Sequence, residues 1–210
     1  ATTTAQRAAR SAQSLGGTDV PLTDHQIQGL VAEASAAMQT LQDELGTTNV
    51  PLARVRFPRG FIRTAAAHRH TLPAFGTEIQ RRNASYALMT LDALRWLLVR
   101  TDLSGAVLSM VAKEAISLLG SVCEWLTKEG TRGHAGNRPY AQRTTKLVEL
   151  GRIEAALKVE LDWLWGIRCN GHLHEVTGLE IEMYSRDDYN RARLAYTKLR
   201  DSLVALHGAA

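Results

Sequence analysis

"SRDDYNRARLAYTKLRDSLVAL", Ser185 to Leu206, decides the class of fold. Its apolar positions are Tyr189, Ala192, Tyr196, Leu199, Leu203 and Leu206, separated by alternating steps of three and four. That rhythm puts all six side chains on one stripe of an α-helix and is the spacing of a helix–helix seam. Ser185 stands where an N-cap is needed. A helix with one such stripe must bury it against other helices, so the search moves upstream for partners.

Three are legible. Thr23 with Gln26 three residues on reads as a capping box. Ile27, Leu30, Val31, Ala34, Met38, Leu41 and Leu45 then follow helical spacing, and Gly46 is placed to end that helix. A second helix begins before Ile79 and carries Ala84, Ala87, Leu88, Leu91, Leu94 and Leu98 on one side. A third runs from about Leu103 to Lys128, with Val107, Leu108, Val111, Ala115, Leu119, Val122 and Leu126 inward. After the glycine-rich, basic loop "EGTRGHAGNRPY" come a short helix ending near Gly151 and a longer one from Ile153 to about Arg168. "TGLEIEMYS" reads as a connection with a brief extended piece. No strand–helix–strand pattern and no internal repeat is visible. The expected fold is all-α, an up-and-down helical bundle over 79–210. Residues 21–78 read as an extra N-terminal helix and a basic connection packing on that bundle, and 1–20 as a mobile arm.

Composition narrows the function classes. A chain of 210 residues, 45% hydrophobic and 22% charged, buries a real core as an ordinary globular protein. No run approaches eighteen apolar residues and the N-terminus lacks a signal-like apolar core, so no membrane partner is expected. Two cysteines make no disulfide framework, which points to a reducing cytoplasm. A net charge of +4 allows an anionic partner without requiring one.

Chemistry concentrates in "LDWLWGIRCNGHLHEV", Leu161 to Val176. If the helix continued through Gly171, Arg168 and His172 would share a face. If Asn170 and Gly171 end it, the chain can fold back and bring His174 beside the guanidinium instead. Spacing leaves both histidines open. Arginine binds phosphate through a planar fork and is always charged, while histidine moves a proton near neutral pH. Together they suit RNA cleavage without a metal or other cofactor: histidine handles the 2′-hydroxyl or leaving-oxygen proton, and arginine stabilises charge on phosphorus. The plainer reading is a helix C-terminus decorated with cations that favour its dipole.

This C-terminal region resembles the HEPN family, helical proteins whose signature is an arginine followed, after four to six residues, by a histidine at the end of a long helix. "RCNGHLH", Arg168 to His174, has five intervening residues, and His172 with three falls outside the pattern. "KLVELGRIEAALKVELDWLWGIR" resembles the family's short helix, glycine turn and long helix, and "EIEMYSRDDYNRARLAYTKLRDSL" its closing tyrosine-bearing helix. The resemblance covers about residues 85–206. Cys169 departs from it, since Asn, Asp or His commonly follows the arginine; Asn170 stands one place later. The resemblance implies a metal-independent endoribonuclease, commonly a toxin or antiviral effector, acting as a homodimer with Arg168 and His174 of both copies in one cleft. It also implies RNA as substrate and a cognate antitoxin or regulatory protein as a further partner. Some members have lost cleavage and only bind nucleotide, RNA or protein, which is the alternative reading.

Two basic stretches are candidates for substrate contact. Seven arginines lie between Arg54 and Arg82, Arg81 and Arg82 among them, against Glu78 alone. Lys128, Arg132, Arg138, Arg143, Lys146 and Arg152 oppose only Glu129 and Glu149. "HRH", His68 to His70, lacks ligand partners at metal spacing, so no metal site is expected. Trp163 and Trp165, two apart, fall on different faces of their helix.

Overall fold

A computed structural model describes residues 21–134, 138–170, 179–181 and 183–208. The expected arm over 1–20 lies outside them. The described residues form seven α-helices and one short 3-10 helix, with no strand among them. The all-α expectation holds.

The chain divides into two compact units, residues 1–57 and 58–210. The first contains α1, Asp24–Leu45, and the 3-10 turn Pro51–Ala53. Thr23 caps α1 as the sequence predicts: its side chain accepts from the Gln26 N–H, while the Gln26 side chain accepts from the Thr23 N–H. Gly46 then ends the helix with a positive φ of 53°. The apolar stripe of α1, including Ile27, Leu30, Val31 and Met38, is exposed.

The second unit is a helical bundle of α2 (Ala65–Thr71), α3 (Glu78–Arg100), α4 (Gly105–Gly130), α5 (Tyr140–Glu149), α6 (Ala155–Cys169) and α7 (Arg186–Gly208). Helix α4 touches α3, α5, α6 and α7. That central position explains its composition. Among the described helices it alone is long and apolar enough to cross a membrane, yet Ala112, Ala115, Ile116, Leu119, Cys123 and Leu126 are fully buried against its neighbours. Five of the six stripe positions, Tyr189, Ala192, Tyr196, Leu199 and Leu203 of α7, are buried in the same core, while Leu206 in the last turn is exposed. Truncating a leucine of that core to alanine removes about 2–5 kcal/mol.

Polar groups inside the bundle fasten the segments between helices. Arg186, at the start of α7, donates from Nε to the Leu98 carbonyl (2.6 Å) and from Nη2 to the carbonyls of Thr101 and Leu103. It thereby satisfies acceptors at the end of α3 that no helical turn supplies. Lys113 and Glu180 form a buried ion pair at 2.5 Å, and Ser109 donates to the Glu180 carbonyl while accepting from the Tyr184 N–H. Cys123 is fully buried in α4, and burial pushes its thiol pKa well up; Cys169 at the end of α6 is half-buried.

The α4–α6 contact closes over Gly120. A Cβ built there would lie 2.8 Å from the Arg168 Cβ and 3.0 Å from Leu164 Cδ2. On α6 itself, a Cβ on Gly166 would meet nothing within 4 Å. Gly120→Ala should therefore cost about 1–3 kcal/mol by forcing the helices apart. Gly166→Ala should instead gain about 0.5–1 kcal/mol through helix propensity alone. Urea denaturation of the two variants checks the contrast, and equal effects would show that the close approach is not a constraint.

Candidate functional site

The site grows from the buried stripe of α6. Leu157, Leu161 and Leu164 are seam residues spaced four and three apart, and the next seam position is Arg168. An arginine there needs room for its stem and an exit for its charge. Gly120 supplies the room. The stem packs on α4 and the guanidinium emerges half-exposed.

Where it emerges, it meets Glu124, one turn beyond Gly120 on α4, with Nη2 at 3.1 Å from Oε2. The guanidinium carbon also stands 4.8 Å from the ring centre of Trp165, one turn back on its own helix. Trp165 in turn stacks on Tyr140 of α5, centroids 4.4 Å apart and planes 5° from parallel. Arg143 lies 5.7 Å from the centre of the Tyr140 ring, and its Nη2 reaches Glu124 Oε1 at 3.9 Å. Two guanidinium groups and two aromatic rings thus form a layered cluster, with one carboxylate spanning its outer members. Within it, the Tyr140 hydroxyl and Arg143 Nε are buried with no hydrogen-bond partner among the described residues.

The other expected site residues fall as follows. His172 and His174 lie outside the described residues. Asn170 is the C-cap of α6, and its N–H bonds the Gly166 and Ile167 carbonyls. The Tyr184 hydroxyl donates to Glu180 at 3.1 Å. Arg138 is exposed and its carbonyl accepts from Arg143 Nη1. Arg143 is buried. The cluster thus brings Arg143 and Arg168 together through Glu124, while Arg138 meets it only through its backbone carbonyl. Arg81 and Arg82 do not join it: both pair with Glu78 in the first turn of α3, at 2.8 and 2.9 Å.

Most of the remaining basic residues also have local partners. Arg132 pairs with Glu129, Lys146 with Glu149, and Arg152 with the Gly130 carbonyl. The Arg54–Arg82 stretch is divided between the two units, whose boundary follows Phe57. Trp163, on the other side of α6 from Trp165, lies under Arg191 at 3.9 Å.

Sequence reasoning missed Glu124, and the signal was there. It is the one charge between Glu114 and Lys128, in an otherwise uncharged run "AISLLGSVCEWLT". Asp92 was missed in the same way, as the one acidic residue between Glu78 and Asp102. Asp92 is buried and accepts from the Arg63 N–H (3.0 Å), Arg63 Nη2 (2.9 Å) and His68 Nε2 (2.9 Å). So the first histidine of "HRH" serves a carboxylate. Among the described residues no group of three or more metal-ligating side chains comes together.

No family model, no curated protein and no solved structure matches the chain.

The buried triad sets a pH dependence. Burial pushes His68 below its ordinary value, partly offset by the bond to Asp92 and reinforced by the Arg63 charge. Burial opposes the Asp92 charge too, but its bonds to Arg63 and His68 outweigh this and hold its carboxyl below the usual range. Both folded pKa values are depressed, so the unfolded chain binds more protons on the acid side. Stability should fall as pH drops through about 6.5, where an unfolded histidine charges, and again through the carboxylate range. Denaturation midpoints from about pH 7 to pH 5 check this; His68→Asn should flatten the first decline.

Proposed function

We propose that the chain is a metal-independent endoribonuclease of the HEPN type, working as a homodimer on RNA. The observation that carries the proposal is the place of Arg168. It ends the long helix as the resemblance requires, its stem fixed by Gly120 and its guanidinium half-exposed. A charge clamp on a phosphodiester needs that combination of fixed stem and reachable head.

In the proposed step His174 takes the proton of a 2′-hydroxyl whose oxygen attacks the adjacent phosphorus. The P–O5′ bond breaks, and the leaving 5′-oxygen takes a proton from the facing histidine of the second copy. Arg168 stabilises the charge gathered on the phosphoryl oxygens. The products are a 2′,3′-cyclic phosphate and a 5′-hydroxyl. Glu124 acts as a positioning residue that holds the guanidinium aligned until a phosphate replaces it. In this reading exposed Arg138 contacts the backbone of the substrate. A role as toxin or antiviral effector in the cytoplasm, restrained by a cognate inhibitor, follows from the same resemblance.

One observation favours a second reading. Arg168 already has a carboxylate and an aromatic face as partners. That is what a purely structural arginine acquires, and it fits a silent helical module that binds RNA, nucleotide or a protein partner.

Incubating purified protein with total RNA separates the two readings. Cleavage should persist in chelator and spare DNA. His174→Ala and Arg168→Ala should each lower the rate by about a hundredfold or more, and His172→Ala by less. Glu124→Gln removes a competitor for Arg168 in a half-exposed, solvent-screened pair, so it should change stability by under about 1 kcal/mol and tighten RNA binding. Intact RNA under every condition would leave the silent module. Activity abolished by chelator and restored by a divalent ion would end the mechanism. The homodimer is checked by light scattering, where monomer alone across micromolar concentrations would count against the shared cleft.

A further inference from the structure

A cavity of about 220 Å³ opens between α2, α3 and α7, and its walls share no residue with the Arg168–Glu124 cluster. Four arginines line it, Arg63, Arg95, Arg193 and Arg200, with Asp92 as its one carboxylate. Their charges are not equally spent. Arg63 is committed to Asp92, and Arg200 pairs with its neighbour Asp201 at 2.6 Å. Arg95 lies over the Phe61 ring at 5.7 Å. Among the described residues no carboxylate pairs with Arg95 or Arg193, since the one carboxylate of the lining, Asp92, is held by Arg63. Two positive charges therefore face the cavity without compensation.

Tyr189 lines the same space. It is 1% exposed, and its hydroxyl is buried with no hydrogen-bond partner among the described residues. Leaving such a group unsatisfied costs about 1–3 kcal/mol, so native proteins rarely do it. Arg63, Arg95, Arg193 and Asp92 line the same cavity as this tyrosine, so the charged groups and the orphan hydroxyl share one space. Burial keeps the phenol in its neutral, donating form. Behind it, Asp92 is an acceptor-only carboxylate, so His68 Nε2 carries the proton of their bond. The triad is thus a fixed, internally neutralised wall.

We propose that this cavity binds the phosphoryl group of a phosphomonoester, with Tyr189, Arg95 and Arg193 as its donors. Charge selects the group. A phosphomonoester carries close to two negative charges and three acceptor oxygens, which match two free guanidinium groups and one orphan hydroxyl; a carboxylate would leave one cation unpaired. Size selects the portion that enters. The volume exceeds the roughly 10–15 Å³ that one water needs, but it is smaller than the roughly 300–1,000 Å³ of pockets that enclose a whole organic ligand. The phosphoryl group and its ester oxygen sit inside, and the rest of the molecule projects from the mouth. The carrier is a small metabolite or the 5′ end of an RNA. The site stands or falls independently of the cleavage reading.

The test is calorimetric titration of the full chain with three probes: inorganic phosphate, a nucleoside 5′-monophosphate beside its nucleoside, and a 5′-phosphorylated RNA oligomer beside its 5′-hydroxyl form. Phosphate-bearing probes should bind, their unphosphorylated partners should not, and affinity should weaken with salt. Tyr189→Phe and Arg193→Gln should each weaken binding by about tenfold or more. Tyr189→Phe should leave the unliganded melting temperature unchanged or raised, because it deletes an unsatisfied hydroxyl without changing shape. Arg193 is exposed, so its variant folds even if the tyrosine variant does not. A nucleotide that outbinds inorganic phosphate identifies a metabolite carrier, and an RNA end that outbinds both identifies RNA. The proposal is overturned if no phosphate probe binds at millimolar concentration, if the unphosphorylated partners bind equally well, or if Arg193→Gln binds as the unmodified chain does.

Discussion

Where α4 crosses α6, no side chain separates the two backbones on the α4 side, because the residue there is Gly120. The candidate site depends on that gap. It allows an arginine to occupy a seam position that would otherwise take an aliphatic side chain, and it sets the depth from which the guanidinium emerges. Glu124 and Trp165 meet it because each lies one turn from a fixed point, the one from Gly120 and the other from Arg168. The stack on Tyr140 then carries the geometry on to α5 and Arg143. A local steric permission on one helix thus organises side chains from three.

The buried polar contacts have a shared logic. Lys113–Glu180, Arg63–Asp92–His68 and Arg186 with the carbonyls ending α3 each tie a non-helical segment, or a helix end, to a bundle helix. Desolvating such charges costs nearly as much as pairing them returns, so these contacts add little to the total stability. Their contribution is positional. They fix where the chain enters and leaves the helices, and the functional residues of a bundle gather at those points. Breaking one partner leaves the other charged and buried, which makes the arrangement intolerant of single substitutions.

Much of this was legible in the sequence. The long helices announced themselves through apolar stripes, and the caps read at Thr23 and Ser185 follow from side-chain oxygens that reach the first free N–H groups. The equivalent capping box at Thr77 and Gln80 was not read. Helix α2 was not read, because "AAAHRHT" is seven residues long and has no stripe; only Thr64, bonding the Ala67 N–H, marks its start. The end of α6 was readable from Asn170 and the arginine before it. The partners of that arginine were not, since pairs such as Arg168–Glu124 or Arg63–Asp92 join residues far apart in the chain. What sequence does offer is the anomaly itself: an isolated charge in an apolar helix must have found a counter-charge. Glu124 and Asp92 both obey that rule.

The two cysteines show what the packing of α4 means for a chemist at the bench. Thiol reagents attack the thiolate, and the interior denies Cys123 both that form and the access to use it. Cys169 is half-buried, at the last turn of α6. The folded protein therefore carries one addressable sulfur, covalently next to Arg168, with no engineering required. A label attached there reports on the end of α6, and the appearance of a second labelled position reports the opening of the core.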